Sequence, residues 1–200
     1  MYTPPYFEAP GKETLSAILP EASFATLITS DDAGCPIATH LPLNYSEEEG
    51  EFGALYGHVA KANSHWKLFS GRNSLAIFQG PHAYISPRYY ASEINVPTWN
   101  YVAVHAYGEI EILDKASDVL DVLKDLTDEN EKGRAEPWTV EAFDQKRLKA
   151  MAQAIVAFRL PISRLEAKAK LGQNKKADDK QALAEALQQT DLHDWQTGIL

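Results

Sequence analysis

The chain has 200 residues, one cysteine, 10% aromatic residues and a formal net charge of −9 at pH 7. This length fits a single domain, the aromatic content argues against disorder, and one cysteine excludes an internal disulfide. No segment approaches the run of about 18 apolar residues that a membrane helix needs, and the amino terminus lacks the basic and apolar regions of a secretion signal. We therefore expect a globular cytoplasmic protein without a membrane span.

The first half of the chain predicts short strands joined by turns. After a proline-rich arm (residues 3–10) and a short helix (12–18), two strand-like segments flank the turn cluster SDDAG at 30–34 and predict a β-hairpin. The segment GALYGHV (53–59) predicts the next strand, which passes into a helix near Lys61. The apolar run 74–80 predicts a buried strand that Gly80-Pro81 breaks before residues 82–86 continue in extended form.

The second half begins with a long strand and then becomes helical. Residues 98–113 alternate, which places Trp99 and Tyr101 on one face and Asn100 on the other. Two amphipathic helices follow in an insertion at about 115–152; the second runs from Val140 to Ala152, with Thr139 as its cap. A strand (155–162) and a terminal helix (179–189) complete the chain. The pattern predicts one α+β domain over 1–200, an antiparallel β-barrel with peripheral helices rather than a doubly wound parallel fold.

The histidines are the main chemical clue, because five of the six lie between positions 40 and 105 in segments dense in Gly, Pro, Tyr, Trp or Asn. A folded chain can bring such segments into one pocket. The sequence contains no HxH or HExxH spacing and no second cysteine, so we predict no metal site. A haem bound through one exposed histidine stays open, and no catalytic residue is identified. Trp66, Trp99, Tyr84 and Tyr101 either belong to the core or stack on a planar ring such as a flavin.

The passage YGHVAKANSHW (56–66) is a candidate anion site. The N–H groups at the start of a helix are free to bind an anion, and Lys61 adds a positive charge. The alternative is a helix that is merely capped. Neither the Walker spacing nor the GxGxxG fingerprint of dinucleotide-binding proteins occurs in the chain.

A basic segment from Arg159 to Lys180 contrasts with the acidic whole, since it holds seven basic residues against three acidic ones. Two interpretations apply: a solvated basic face, or a contact with nucleic acid or phosphate. The overall charge opposes non-specific binding to a polyanion, and no helix-turn-helix is evident.

Several long motifs resemble the PaiB family of FMN-binding negative transcriptional regulators over nearly the whole length. They are MYTPPYF, FATLIT, ATHLPL, GHVAKANSHW, AIFQGPHAYISPRYY, VPTWNYVAVHAYGEI and LEAKAKLGQN, in this order. The resemblance implies an FMN-binding split β-barrel that forms a homodimer with flavin at the subunit interface. It also implies that Lys61 and its neighbouring backbone meet the FMN phosphate, and it suggests the cofactor-binding residues Thr39, His40, His58, Lys61, Asn63, Tyr84, Ser86, Asn100, Tyr101, Gln173 and Asn174.

Three functions follow from the resemblance and from the residues. The first is a flavin-binding regulator whose basic C-terminal segment, at about 159–190, supplies a DNA contact. The second is a flavin-dependent oxidoreductase like the pyridoxamine phosphate oxidases, in which His40, His58 or His82 donates protons. The third is a protein that binds FMN or haem without turnover.

Overall fold

The computed structural model describes residues 1–199. In these residues ten strands form two sheets, and the helices lie before or between strands or follow the last strand. The strands are β1 (Glu8–Ala9), β2 (Phe24–Ser30), β3 (Pro36–Pro42), β4 (Asn44–Ser46), β5 (Ala54–Ala60), β6 (Asn73–Ile85), β7 (Thr98–Glu109), β8 (Glu111–Ile112), β9 (Ile155–Pro161) and β10 (Arg164–Lys170). The α-helices are α1 (Gly11–Ala22), α2 (Ala116–Glu131), α3 (Gln145–Ala152), α4 (Ala177–Ala186) and α5 (Leu192–Asp194), and the 3₁₀ helices are Pro5–Phe7, Ser64–Leu68, Pro87–Tyr89 and Val140–Ala142.

One sheet has six strands in the order β1-β10-β7-β6-β2-β3, and the other has four in the order β4-β5-β9-β8. β2 pairs antiparallel with β3 and β6, and β9 pairs antiparallel with β5 and β8. The predicted hairpin and the predicted α+β class with antiparallel sheets are confirmed. None of the helices in the described residues combines the length and apolar character that crossing a bilayer requires.

The chain forms two compact units, whose bounds fall inside β6, β7 and β10. The central unit comprises Ser23–Ile77 and Ala106–Leu165; the terminal unit comprises Met1–Ala22, Phe78–His105 and Glu166–Leu200. In the central unit, α2 packs on the four-stranded sheet through Val122 and Leu126, which bury against Ala157 of β9. The fully buried side chains of this unit include Leu27, Leu43, Leu55, Phe69, Phe158 and Leu160.

The terminal unit confirms the predicted alternation in β7. Asn100, Val102 and Val104 are buried there, whereas Trp99 is 54% exposed, since successive side chains of a strand point to opposite faces. Its fully buried side chains include Leu15, Ile18, Ile85, Leu183 and Leu192.

Several predicted boundaries were wrong because tertiary contacts override local signals. Helix α1 continues past Ile18 through Pro20, with Leu15, Ile18 and Ala22 buried on one face. Gly80-Pro81 does not break β6, which pairs with β7 and runs unbroken from Asn73 to Ile85.

The helical segments also differ in detail from the predictions. The helix expected from Val140 is a 3₁₀ turn, capped by Thr139 as predicted, followed by α3, which Asp144 caps. The terminal helix begins two residues early, at Ala177. Strand β10 was not predicted, because its Lys, Glu and Arg residues hide the pattern of a strand.

Candidate functional site

A hydrogen-bonded group of three side chains lies in the central unit. The Thr39 hydroxyl on β3 lies 2.8 Å from Nδ1 of His65, and the Asn63 amide donates to the same hydroxyl oxygen at 3.1 Å. Thr39 and His65 are 26 positions apart, so the fold alone brings them together. Two predicted residues, Thr39 and Asn63, therefore meet around a histidine that the family motif contains but that we did not select.

The His65 side chain is buried with one of its two ring nitrogens unpaired. It is 1% exposed, its ring packs edge-on against Phe69 with centroids 5.2 Å apart, and its Nε2 has no hydrogen-bond partner. If the Thr39 hydroxyl accepts from Asn63 and donates to Nδ1, the ring proton resides on Nε2, which becomes a buried donor without an acceptor. Such a group is costly to leave unpaired, and it is suited to a ligand that offers an acceptor.

Burial lowers the pKa of both His65 and His58 below the ordinary value of 6.5. His58 lies on β5 opposite Ala157, and its Nδ1 is buried without a partner. Both rings are therefore neutral at pH 7, which suits hydrogen bonding to a neutral ring more than ion pairing with a phosphate.

The lowered pKa values predict acid sensitivity. Below about pH 6.5 the unfolded chain binds protons that the folded chain excludes, so the free energy of unfolding falls as pH drops, until the folded-state pKa values are reached. Urea unfolding at pH 7.5 and 5.5 measures this loss. We expect a smaller loss in His65→Gln and a still smaller one in the double variant with His58→Gln. A loss equal to that of the wild type in both variants would contradict the assignment.

The backbone of Lys61 forms two hydrogen bonds, whereas its side chain is exposed. Its N–H donates to the Ala154 carbonyl at 2.8 Å, and its own carbonyl accepts from the Trp66 indole at 3.0 Å. The ammonium group is exposed and forms no ion pair within residues 1–199. The Lys61 ammonium is therefore available to an anion.

The predicted helix after Lys61 is only the five-residue 3₁₀ helix Ser64–Leu68. Asn63 caps it by accepting the His65 N–H at 3.0 Å. The helix start is therefore capped by a side chain at the His65 N–H, and anion binding at this segment stays a prediction. The exposed Lys61 ammonium is the charged group that this segment offers to an anion.

A cavity of 640 Å³ lies beside Lys61 in the central unit. Its walls come from α2, α3, β8 and the start of β9. We call it the α2–α3 cavity; its lining residues are Lys61, Trp66, Ile112, Leu113, Asp114, Ala116, Val119, Leu120, Lys149, Ala152, Gln153, Ile155 and Val156. Lys61 is the only one of the eleven predicted cofactor residues that lines it.

His40 lies on an exposed part of the β2–β3 hairpin. Its Nδ1 is 3.0 Å from the Thr26 hydroxyl, and its ring stacks at 6.3 Å on Phe24, which is 68% exposed. An aromatic residue this exposed next to a hydrogen-bonded histidine marks a surface suited to contact with a ligand or a partner.

The other six predicted residues belong to the terminal unit and fall into different environments. Tyr84 packs edge-on against Trp99 at 5.9 Å, and the Ser86 hydroxyl caps the turn Pro87–Tyr89. Asn100 is 1% exposed with its Nδ2 unpaired, and the ring of Tyr101 lies 5.2 Å from the Lys168 ammonium. Asn174 is exposed.

The Gln173 side chain bonds to the backbone of its own turn. It accepts from the Leu171 N–H at 2.8 Å and donates to the Ala169 carbonyl at 2.5 Å. These bonds hold the turn that follows β10. Gln173 is thus less available to a ligand than its sequence motif suggested.

Five of the seven basic residues in the segment contact other parts of the protein, whereas Lys176 and Lys180 are exposed. Arg159 binds Glu49 at 2.9 Å and Glu111 at 2.8 Å, and Arg164 lies 3.7 Å above the ring of Tyr107. The lysines of β10 and the following turn donate to neutral acceptors: Lys168 to the Tyr2 backbone carbonyl, Lys170 to the Thr98 hydroxyl and Lys175 to the side-chain amide oxygen of Asn95. Burial, together with Lys168 and Lys175, lowers the pKa of Lys170.

Comparison with known proteins identifies the family. A family described as "Putative FMN-binding domain" matches residues 1–164. "Protease synthase and sporulation protein PAI 2" of Bacillus subtilis (strain 168) is 38% identical over 189 residues, which cover 94% of this chain and 89% of that protein. "Uncharacterized protein YKL070W" of Saccharomyces cerevisiae is 32% identical over 105 residues, covering 50% of this chain and 62% of that protein.

Solved structures share the fold at low identity. The FAD and haem binding protein from Mycobacterium smegmatis has a TM-score of 0.63 at 21% identity and covers 89% of this chain and 79% of its own. The flavocytochrome Anf3 from Azotobacter vinelandii has a TM-score of 0.62 at 18% identity, with coverage of 90% and 75%. These matches confirm the split-barrel fold class. With the family match and the Bacillus relative, they establish that the chain belongs to the PaiB family of FMN-binding-domain proteins.

Proposed function

We propose that the protein binds FMN with its phosphate at Lys61 and its flavin ring near Thr39, His40, His58 and Asn63. The observation that carries this proposal is the conjunction of an exposed, unpaired Lys61 with the buried, unpaired Nε2 of His65, four residues further along the same segment. The cation suits a phosphate, whereas a buried neutral N–H suits the carbonyl and nitrogen acceptors of a flavin ring.

The donor set fits FMN in its chemistry. Lys61 offers three ammonium donors, and the unpaired nitrogens of His58 and His65 add groups that lack protein partners. When bound, FMN supplies redox chemistry through its isoalloxazine ring, while the protein orients the ring and excludes water.

We infer that the remaining predicted residues act from a second copy of the chain in a homodimer. These are Tyr84, Ser86, Asn100, Tyr101, Gln173 and Asn174. Two observations support a dimer: Phe24 is 68% exposed in the central unit, and Trp99 and Tyr84 are 54% and 49% exposed in the terminal unit. Exposed aromatics of this kind are typical of protein interfaces.

A regulatory role is the second part of the proposal. Its support is the name of the Bacillus relative, "Protease synthase and sporulation protein PAI 2", which refers to sporulation. Because the basic segment is mostly engaged inside the protein, we favour regulation through flavin binding over direct DNA contact by Arg159 to Lys180. The exposed free thiol of Cys35 is in keeping with a cytoplasmic location.

The experiment for this proposal is a titration of the purified protein with FMN, with riboflavin in parallel, followed by absorbance. Sedimentation velocity on the same samples gives the mass. We expect FMN to bind with a perturbed flavin spectrum, riboflavin to bind more weakly because it lacks the phosphate, and the particle to have twice the mass of the chain. A protein that ignores FMN would contradict the cofactor site. A monomer that binds FMN normally would contradict the shared site.

A further inference from the structure

The walls of the α2–α3 cavity are mostly apolar. Ile112, Leu113, Leu120 and Ile155 line it and are only half-buried, so their side chains are left to face the cavity. Water in contact with such walls is unfavourable, because removing apolar surface from water is favourable. A volume of 640 Å³ accommodates an apolar molecule of moderate size.

The rim of the cavity is positively charged. Lys61 and Lys149 line it, both are exposed, and neither forms an ion pair with another described residue. Asp114 is the only carboxylate among the lining residues, so one positive charge is left over.

Helix α2 adds to this field. It has 16 residues, begins at Ala116 on the cavity wall, and has no side chain capping its first turn. The N-terminal end of a helix of this length carries a partial positive charge, which the Asp118 carboxylate in the first turn partly offsets. Apolar walls beneath a rim with a net charge of about +1 suit a ligand that is apolar along its length and carries one negative charge at its end.

We propose that the α2–α3 cavity binds an apolar monocarboxylate at a site distinct from the flavin ring. Thr39, His40, His58 and Asn63, around which the flavin ring is proposed, do not line the cavity, whereas Lys61 borders both sites. Because the carboxylate and the FMN phosphate would both lie near Lys61, we expect each ligand to weaken the binding of the other, while Lys149 stays available to the carboxylate alone. The proposed carboxylate site and the proposed flavin site share Lys61 alone among these residues.

The charge requirement is tested with octanoate and its neutral counterpart octanol, both measured by calorimetry and by displacement of the fluorescent anion anilinonaphthalene sulfonate. We expect octanoate to bind more tightly than octanol. Lys149→Gln should weaken octanoate binding roughly two- to five-fold, the range for one partly screened charge, and leave octanol unchanged. Lys146→Gln, an exposed lysine of the same helix outside the cavity, is the matched control and should change neither.

The location is tested by filling the cavity. Ala152→Phe places a ring inside it and should weaken octanoate binding at least about tenfold, whereas Ala150→Phe on the exposed face of α3 should not. Circular dichroism checks the fold of both variants, and Lys149→Gln keeps the test valid if Ala152→Phe unfolds.

FMN titrations of the same variants separate the two proposals. FMN affinity unchanged in Lys149→Gln and Ala152→Phe supports a separate site. Absence of octanoate binding to the wild type, or loss of FMN binding in Ala152→Phe together with mutual exclusion of octanoate and FMN, would overturn it. A protein that binds octanoate in the cavity but ignores FMN would contradict the flavin proposal alone.

Discussion

Replacing Lys61 with glutamine is expected to weaken FMN binding roughly tenfold to a hundredfold and to leave riboflavin binding almost unchanged. A hydrogen bond to a charged group contributes about 1.5–3 kcal/mol, which corresponds to this range, and riboflavin has no phosphate to lose. The backbone of Lys61 is held by Ala154 and Trp66 through main-chain atoms, so the side-chain change should leave the local fold intact. Parallel fluorescence titrations with the two flavins measure the difference.

Lys67→Gln is the matched control for this variant. Lys67 is an exposed lysine six residues further along the chain and forms no ion pair in the described part of the protein. It should retain the affinity of the wild type for both flavins. Equal weakening of FMN and riboflavin in Lys61→Gln would place Lys61 away from the phosphate, and equal loss in both lysine variants would indicate a general effect of net charge.

Replacing Gly108 with alanine is expected to lower the free energy of unfolding by about 3 kcal/mol or more, at the upper end of the cost of overpacking a core. A Cβ at this position in β7 would lie 2.1 Å from the Pro161 carbonyl oxygen and 2.8 Å from Leu160 Cδ2. The first of these atoms belongs to the backbone and cannot rotate away. The neighbouring Tyr107 carbonyl accepts from the Ser163 N–H at 2.8 Å, so separating the chains also strains a hydrogen bond.

Gly57→Ala in β5 is the comparison for Gly108→Ala. Its Cβ would meet Leu43 Cδ2 at 2.5 Å, but that atom is the end of a flexible side chain. We expect a smaller cost, of about 1–2 kcal/mol, because Leu43 can move. Urea unfolding of both variants gives the two free energies. A Gly108→Ala protein as stable as the wild type would show that β7 and the end of β9 separate easily.

Regular backbone patterns explain which parts of the fold were predictable. The alternation in residues 98–109 and the hairpin around SDDAG follow from the two-residue period of a strand and from turn residues, both of which are local. The family motifs are long and ordered, so they also predicted the flavin-binding class. Lys61, Thr39 and Asn63 were selected from those motifs, and the structure brings the latter two together.

The predictions that failed depended on partners distant in sequence. Strand β10 is rich in charge and reads as a polar surface, yet β1 pairs with it, and Lys168, with 7% of its surface exposed, bonds to the Tyr2 carbonyl. Gly80-Pro81 is typical of a strand end, yet β6 continues through it because β6 pairs with β7. Local composition contains no information about which strand lies alongside.

The sequence by itself determined the antiparallel α+β class, the alternation of β7 and membership of the FMN-binding family, because each depends on short-range periodicity or on motifs read in order. Only the tertiary structure decided that His65 contacts Thr39 and that Lys61 and Lys149 line one cavity. It also decided that most basic residues between Arg159 and Lys180 contact other parts of the protein. Those features join residues from different elements, and their proximity depends on strand register and helix packing, which no local pattern specifies.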